Sequence, residues 1–416
     1  MKGRSMEHLE VSHLFAMLVV MLGAAKIGGA LAKRIGQAAV LGELVGGVIA
    51  GQSGLHLINT SYETIHMLSE LGVIILLLAI GLETDLRMLV RVGATSTAVA
   101  LVGVVLPFGL GYAACRLLGL TDLVAIMAGA TLTATSVGIT ARVLADLGRL
   151  RDVEGQIILG AAVLDDILGL VILTVVTGLA RGDSVTVLNV ATTAGIAFGF
   201  LGAVILLGTL LMPWITRATA AIDLPGTATI LALIMAFGLA WLADRAGSAM
   251  ILGAFAAGLL LASSPRLHDI EKGITSLGHF FVPLFFVGVG ASVDLHALDP
   301  ATAEGRLALL VGCILCVTGV IGKLFAGYAP FWFKGNKTVI GVGMIPRGEV
   351  GLIFAQIGLS TGVFNEGLFT GATLMVLVTT FIAPPFLKCL LSARPPRRTT
   401  EPLEPLEGIE DLVTEA

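Results

Sequence analysis

The sequence predicts an all-α polytopic membrane protein of about thirteen transmembrane helices. Of the 416 residues, 56% are hydrophobic and only 13% are charged, about half the charged fraction of an ordinary soluble protein. The mean hydropathy is +0.97. Apolar stretches of about 18 residues or more recur from residue 11 to residue 391, and helices of that length cross a hydrocarbon core of roughly 30 Å.

The composition excludes several classes of protein. The net charge is -4, and the sequence has no basic cluster with interleaved aromatic residues, so we expect no nucleic-acid partner. All four cysteines fall in apolar stretches without accompanying histidines, which indicates packed side chains and no metal centre. We expect no cofactor, and we expect membrane lipid to surround the chain.

Glycines, prolines and charged residues divide the chain into thirteen predicted spans. The first is interpreted as a membrane helix and not as a signal peptide, because Glu7 and Glu10 interrupt its start and its apolar run is too long. The Pro-rich, acidic segment 392–416 is predicted to be a disordered cytoplasmic tail. The spans cover about 11–32, 37–52, 66–82, 92–118, 121–147, 154–180, 186–216, 226–244, 248–263, 273–295, 305–333, 337–361 and 367–391.

The distribution of basic residues predicts the orientation. With the N-terminus outside, 15 of the 25 Lys and Arg residues fall in inner segments and 6 in outer ones, which gives an N-out, C-in topology. The remaining four lie within spans. Of these, Lys26 and Arg142 are close enough to helix ends to reach the interface, whereas Lys323 and Arg347 lie closer to mid-span.

Two pairs of short motifs indicate an internal repeat. "VLGELVGG" at 40–47 matches "ILGAFAAG" at 251–258 with an offset of 211, and "GLETDL" at 81–86 matches "GASVDL" at 290–295 with an offset of 209. The predicted repeats cover about 11–180 and 226–391, with a linker helix at about 186–216. A single span between two six-helix repeats gives them opposite topology, as in many secondary transporters.

The repeat places two helix-breaking segments at equivalent positions. "GATLTATSVGIT" at 129–140 is dense in Thr, Ser and Gly, and "GVGMIPRGEVG" at 341–351 contains proline and charge. The repeat offset of 211 relates Ser136 in the first segment to Arg347 in the second. Each segment also has a structural interpretation: hydroxyls such as those of Thr133 and Thr135 often bond to their own helix, and Arg347 with Glu349 can form an internal pair.

The segment "AAVLDDILGLVIL" at 161–173 contains two adjacent carboxylates in an apolar span. A charge at the centre of a spanning helix costs roughly 2.5 to 3.5 kcal/mol, so Asp165 and Asp166 predict a functional site. Neighbouring residues on a helix point about 100° apart, so one carboxylate can face a cavity and the other a neighbouring helix. Lys323 is the candidate partner for the second.

Carboxylate oxygens together with hydroxyls and freed carbonyls form a hard oxygen site that suits an alkali cation. Partial desolvation and a neighbouring carboxylate disfavour the charged form, so protons compete for the same oxygens. A site that holds either ion predicts an antiporter. An enzyme is not expected, because an intramembrane aspartyl protease needs carboxylates that face each other from different helices. A gated potassium pathway or a transport-derived sensor is disfavoured only by Lys323 and by the lack of a regulatory domain.

These residues resemble the second, bacterial Kef/Nap-like family of the cation:proton antiporter superfamily, in its sodium/proton branch. The resemblance covers about residues 36–390. The motifs that carry it, in family order, are "GQAAVLGELVGGVIAG", "LGVIILLLAIGLETDL", "TATSVGITARVLADLG", "GAAVLDDILGLV", "FFVGVGASVDL", "GKLFAG" and "GMIPRGEVGLI".

The resemblance implies an NhaA-like fold in which two crossed, discontinuous helices move against a dimerisation domain, in a homodimer of the cell (inner) membrane. It implies that Asp166 is the main carboxylate for Na⁺ and protons, and that Asp165 pairs with Lys323 when no cation is bound. It also implies that Thr135 and Ser136 lie beside the ion. The predicted ion-binding residues are therefore Asp166, Asp165, Ser136, Thr135 and Thr133, with Na⁺ held at the two aspartates.

Further charges match the family pattern. Arg347 and Glu349 are implied to stabilise the helix crossing, whereas Glu43, Glu83 and Asp85 are interpreted as secondary candidates, either funnel charges or structural ones. The "DD" pair is similar to members that exchange two protons for one Na⁺ electrogenically, whereas the potassium-efflux branch usually carries "QD" and a soluble nucleotide-binding domain. Na⁺, Li⁺ or K⁺ stay open as substrates, and the alternative is a K⁺/H⁺ antiporter or a Kef-like potassium efflux system without its regulatory domain.

Overall fold

The structure is a computed structural model, and it is all-helical in the part of the chain that it describes, as predicted. It describes residues 2–35, 37–59, 62–84, 91–181, 226–246, 250–293 and 295–392, together with 191, 192, 194–196, 198–200, 202–204, 206, 208 and 210. All of the predicted tail 392–416 except residue 392, and most of the predicted linker helix 186–216, therefore lie outside the described residues.

The helices are labelled α1 to α14 in chain order. The first seven are α1 (Lys2–Arg34), α2 (Ala39–Ala50), α3 (Glu63–Glu83), α4 (Gly93–Leu117), α5 (Asp122–Thr131), α6 (Val137–Asp146) and α7 (Val153–Arg181). The others are α8 (Thr227–Arg245), α9 (Met250–Leu261), α10 (Leu267–Ala291), α11 (Ala303–Ala326), α12 (Lys337–Gly343), α13 (Glu349–Ser360) and α14 (Glu366–Ser392). A short 3₁₀ helix, His296–Leu298, connects α10 to α11.

Eight of the described helices are long and apolar enough to cross a membrane: α1, α3, α4, α7, α8, α10, α11 and α14. The helices α2, α5, α9 and α13 are apolar but have only 10 to 17 residues. The count of thirteen spans and the N-out, C-in orientation stay predictions.

Two of the predicted spans are each divided into two helices. The predicted span 121–147 consists of α5 and α6, separated by residues 132–136, and the predicted span 337–361 consists of α12 and α13, separated by residues 344–348. We call these two segments the first break and the second break. Both coincide with the helix-breaking motifs of the sequence.

The end of α11 differs from the prediction. The helix ends at Ala326, whereas the apolar pattern predicts a span up to residue 333. Pro330 follows in a segment of turns, and a proline lacks the amide that a helix needs. The backbone amide of Asn336 donates instead to Glu154 Oε1 at 2.9 Å, which ties this connection to the start of α7.

The helices pack as two bundles. The first bundle comprises α1, α2, α3, α8, α9 and α10, and the second comprises α4 to α7 and α11 to α14. Small residues allow close approach within the first bundle: a Cβ on Gly81 of α3 would lie 2.4 Å from the carbonyl oxygen of Phe255 in α9. The half-helix α6 of the second bundle packs against α2 and α3 of the first. This contact brings the first break to the boundary between the bundles.

Candidate functional site

The two breaks contact each other within the second bundle. The backbone amide of Ser136 donates a hydrogen bond of 2.8 Å to the carbonyl oxygen of Pro346. One helical turn further along α6, Thr140 Oγ1 donates to the carbonyl oxygen of Gly343 at 2.7 Å. Backbone groups that a continuous helix would satisfy by itself are thus paired across the crossing.

The second break is formed by proline and glycine. Pro346 cannot donate a backbone hydrogen bond, and Gly348 is extended, with φ -135° and ψ -151°. Gly348 lies directly against the first break, because a Cβ on it would be 2.8 Å from Ser136 Oγ and 2.9 Å from Ser136 Cβ. A side chain at position 348 would therefore push the two breaks apart.

The first break is formed by residues whose hydroxyls compete with the helix backbone. Thr131 Oγ1 donates to the carbonyl oxygen of Ala128 at 2.7 Å, and Thr133 Oγ1 donates to that of Ala130 at 2.8 Å. These bonds add side-chain donors at the end of α5, where the Ala130 carbonyl oxygen also accepts from the backbone amide of Thr133 at 3.1 Å. Thr131 and Thr133 thus serve the end of α5.

Asp165 lies on α7 and is fully buried. Its Oδ2 atom accepts a hydrogen bond of 2.6 Å from Thr135 Oγ1 and another of 2.5 Å from Lys323 Nζ. Lys323 is also fully buried, in the last turn of α11. Asp165 Oδ1 accepts no hydrogen bond from the residues that the structure describes. The structure therefore places the predicted lysine next to the first aspartate of the pair.

Asp166 faces a different direction from Asp165. It is 6% exposed and lines a cleft together with residues 134–138 of the first break and α6, Gly348 and Val350. The other wall of the cleft belongs to the first bundle and is apolar: Val73, Leu77, Ile251 and Phe285. The cleft thus lies at the boundary between the bundles, with the Asp166 carboxylate, Thr135 and Ser136 on its polar side.

Arg347 lies in the second break with its side chain fully buried. Its Nη1 atom donates a hydrogen bond of 2.7 Å to the carbonyl oxygen of Ala134 in the first break. The backbone carbonyl oxygen of Arg347 accepts a hydrogen bond of 2.5 Å from Thr380 Oγ1 of α14. Nε and Nη2 have no hydrogen-bond partner among the described residues. The guanidinium therefore bridges the two breaks and places a positive charge beside carbonyl groups at the end of α5.

Among the predicted residues with described side chains, Thr133 and Glu83 do not line the cleft with Asp166. Thr133 bonds to its own helix, as described above, and is not among the residues that line the cleft. Glu349 begins α13, but its side chain lies outside the described residues, as does Asp85. Glu83 is the last residue of α3, and its backbone carbonyl oxygen accepts a hydrogen bond of 3.3 Å from Arg151 Nε.

Glu43 occupies the boundary between the bundles. Its side chain is 6% exposed, and Oε2 is buried without a hydrogen-bond partner among the residues described. Arg142 and Asp146 of α6, which lie 3.4 Å apart, are near enough to interact with it electrostatically. Glu43 thus belongs to a group of charges at the far end of α6 from Ser136.

Sequence reasoning missed Thr140, which bonds to the last residue of α12, and Thr380, which bonds to the second break. Thr140 lies in the quoted motif at 129–140, where its place four residues after Ser136 was a usable signal, since positions i and i+4 share a helix face. Thr380 is one of two adjacent threonines in an apolar span, and no spacing rule indicates which of them faces a break in another helix.

The chemistry available at the cleft is that of hard oxygen ligands. Among the described residues, no group of three or more His, Cys, Asp or Glu side chains could hold a metal ion. The donors near Asp166 are carboxylates, hydroxyls and backbone carbonyls, which suit monovalent cations and protons better than transition metals. One aspartate faces the cleft, while its neighbour is compensated by a buried lysine.

Several known proteins are similar to this chain over most of its length. A family profile described as "Sodium/hydrogen exchanger, transmembrane" matches residues 19–393. The chain is 41% identical over 417 residues to the "High-affinity Na(+)/H(+) antiporter NhaS3" of Synechocystis sp., with 92% of this chain and 90% of that protein covered. It is 35% identical over 387 residues to the "Na(+)/H(+)-K(+) antiporter GerN" of Bacillus cereus, covering 93% and 98%.

A solved structure shares the fold. The sodium proton antiporter MjNhaP1 from Methanocaldococcus jannaschii, determined at pH 8, matches with a TM-score of 0.67 and 20% sequence identity. The match covers 92% of this chain and 97% of that one. At this level of identity the likeness concerns the fold alone.

Proposed function

The chain belongs to the sodium/hydrogen exchanger transmembrane family, and from this premise we propose that it is a secondary active antiporter that exchanges Na⁺ or Li⁺ for protons. It is a multi-pass membrane protein, and cation/proton antiport is the activity named for its relatives. The observation that carries the proposal is the placement of Asp166, a carboxylate in a cleft between two bundles and beside two broken helices.

Asp166 is proposed to bind the exchanged ions in turn. Thr135 and Ser136 line the same cleft, so their oxygens and the freed backbone carbonyls can complete the shell of a small cation. A proton on the carboxylate removes the charge that attracts the cation, and a bound cation disfavours the proton. The two ions therefore exclude each other at one site, which is the requirement for exchange.

Asp165 and Lys323 are proposed to make the exchange electrogenic. Without cation, Asp166 carries a proton, and Asp165 is paired with the Lys323 ammonium. When Na⁺ enters, Asp166 loses its proton, Lys323 releases Asp165 and gives up a second proton, and both carboxylates face the ion. Two protons leave for one Na⁺, so the charge of the site changes from 0 to -1. This difference would make transport sensitive to membrane potential.

Alternating access is proposed to arise from movement of the second bundle against the first. The cleft lies between them, and its first-bundle wall is apolar and offers the ion no ligand. We further propose that residues 11–180 and 226–391 are inverted repeats, that residues 1–391 form the transport domain, and that the protein is a homodimer in the cell membrane with its N-terminus outside. These statements rest on the sequence repeat and the family resemblance.

Transport by purified protein in liposomes tests the proposal. With an imposed pH gradient, addition of Na⁺ or Li⁺ is expected to dissipate the gradient in wild type and not in Asp166→Asn. Asp122→Asn, an exposed position that pairs with Arg116 near the start of α5, is the matched control. Full activity of Asp166→Asn would contradict the assignment of Asp166 as the ion-binding residue. Rates independent of a clamped membrane potential would contradict the electrogenic step.

K⁺ is a second candidate substrate. The observation that favours it is the similarity to GerN, whose name includes both Na⁺ and K⁺. Oxygen ligands of this kind accept either cation, and the shell that forms around the ion decides between them. The same liposome assay with KCl, compared with NaCl at equal ionic strength, separates the two cations. Gradient dissipation by K⁺ alone would replace Na⁺ in the proposal.

A further inference from the structure

We infer that Gly103 of α4 is a positioning residue: it leaves the room into which the Lys323 ammonium moves when a cation displaces it from Asp165, before the lysine gives up its proton. The inference rests on the proposed function, because it needs Lys323 to release Asp165 during transport. It concerns a residue that is not among those that line the cleft and that is inferred to act through the lysine.

The observation that carries the inference is the contact between α4 and α11. A Cβ on Gly103 would lie 3.3 Å from Lys323 Nζ, 3.5 Å from the Ala326 side chain and 3.6 Å from Lys323 Cδ. These three nearest atoms all belong to side chains. About one methyl group thus fits between α4 and the ammonium, at a distance tighter than ordinary van der Waals contact.

The Lys323 ammonium has few other places to which it can move. Its side chain is fully buried, and Asp165 is its only hydrogen-bond acceptor among the residues that the structure describes. The helices cannot easily separate nearby, because a Cβ on Gly322 would lie 2.7 Å from the ring of Pro107 in α4. An ammonium that leaves Asp165 must therefore find space within this contact, and Gly103, which has no side chain, provides it.

The charges around the lysine favour such a movement when a cation arrives. Asp165 and Asp166 on α7 attract the ammonium, and Arg347 in the second break repels it. No titratable side chain of α4 faces it at Gly103. A cation held by the two aspartates adds a second repulsion from the side of α7. The net push is then toward α4, where an absent side chain leaves the path open.

Substitution of Gly103 tests the inference in the full-length protein in liposomes. Gly103→Ala fills the room without offering an acceptor, so the KM for Na⁺ is expected to rise about fivefold or more, while the maximal rate stays within about twofold. Gly103→Ser fills it with a hydroxyl that accepts a hydrogen bond from the displaced ammonium, so its KM is expected at or below that of wild type. Gly109→Ala is the control, since a Cβ at Gly109 of the same helix meets nothing within 4 Å.

A second substitution, at Lys323, distinguishes a positioning role of Gly103 from a simple packing role. In a Lys323→Met background, Gly103→Ala is expected to leave the Na⁺-induced rise in melting temperature unchanged, because the moving group is gone. Equal increases in KM for Gly103→Ala and Gly103→Ser, or no change beyond that of Gly109→Ala, would overturn the inference. If Gly103→Ala does not fold, the Gly103→Ser variant decides, and a KM above wild type overturns it.

The proposed function and this inference fail in different ways. Wild-type protein that moves no protons on addition of Na⁺, Li⁺ or K⁺ contradicts the proposed function. Wild-type protein that is active, with Gly103 variants that behave like Gly109→Ala, leaves the function in place and removes only the role assigned to Gly103.

Discussion

The backbone amide of Ser136 lies 2.8 Å from the carbonyl oxygen of Pro346, so each break supplies a hydrogen-bond partner that the other lacks. Arg347 adds a second link through its 2.7 Å bond to the carbonyl oxygen of Ala134. The two breaks therefore stabilise each other, and the cleft residues on the first break depend on both. Substitutions in the second break are expected to affect the site from a distance.

Gly348→Ala is expected to lower both the melting temperature and Na⁺-coupled proton movement. The added Cβ would lie 2.8 Å from Ser136 Oγ and 2.9 Å from Ser136 Cβ, and overpacking of this kind costs roughly 1 to 3 kcal/mol. Thermal unfolding in detergent and the liposome assay measure the two effects. Gly169→Ala on α7 is the control, because its Cβ would meet only Val350 Cγ1 at 3.9 Å. Equal melting temperatures for the two variants would contradict this account of the crossing.

Thr380→Val is expected to destabilise the protein more than Thr379→Val does. Thr380 Oγ1 donates to the carbonyl oxygen of Arg347 in the second break, which loses this partner in the variant. Thr379 Oγ1 donates within its own helix, to the carbonyl oxygens of Met375 and Val376. A net loss of about 1 kcal/mol is expected for the bond to the break. A matched pair of melting curves checks the difference, and the reverse order would show that Thr380 does not support the break.

The sequence was sufficient to predict the long helices and the charged centre for a shared physical reason. In a membrane, each span must be apolar, so the hydropathy pattern predicts the helices. Each buried charge needs a partner, so the isolated Asp165 and Lys323 indicate a pair. The positions of the breaks were also predicted from the sequence, because the motifs at 129–140 and 341–351 contain Thr, Ser, Gly and Pro residues that disfavour a continuous helix.

Features that depend on side-chain direction could not be predicted in this way. Thr133 and Thr135 lie in one polar motif, yet of the two only Thr135 reaches Asp165, because Thr133 lies in the turn that directly follows α5 and Thr135 lies beyond that turn. Hydroxyl bonds between distant helices, such as that of Thr380, leave no local pattern. The same is true of Gly103, whose importance comes from what lies opposite it. The early end of α11 was missed because aromatic residues extend the apolar pattern beyond the last helical turn.

Lys323→Met is expected to lower thermal stability in the absence of Na⁺. Removing one partner of a buried ion pair costs roughly 3 to 5 kcal/mol, because Asp165 is left as an uncompensated charge.

Thermal melting of Lys323→Met in Na⁺-free buffer measures this effect. The double variant Lys323→Met/Asp165→Asn is the control, and it is expected to recover much of the stability. A single variant as stable as wild type would remove the proposed pairing. Addition of Na⁺ is expected to stabilise the single variant, because the cation can take the place of the ammonium.

Thr135→Val is expected to weaken Na⁺ binding, whereas Thr133→Val is expected to leave it unchanged. Thr135 lines the cleft and donates a 2.6 Å hydrogen bond to Asp165, and a hydrogen bond to a charged group contributes about 1.5 to 3 kcal/mol. Its hydroxyl oxygen is also a proposed ligand of the ion, so valine removes both functions while keeping the shape. An increase of about tenfold in the KM for Na⁺ is therefore expected.

The Na⁺ dependence of gradient dissipation at fixed pH measures the KM of Thr135→Val. Thr133→Val is the control, because it removes a hydroxyl that only serves the end of α5. Equal KM values for the two variants would show that Thr135 does not contact the ion.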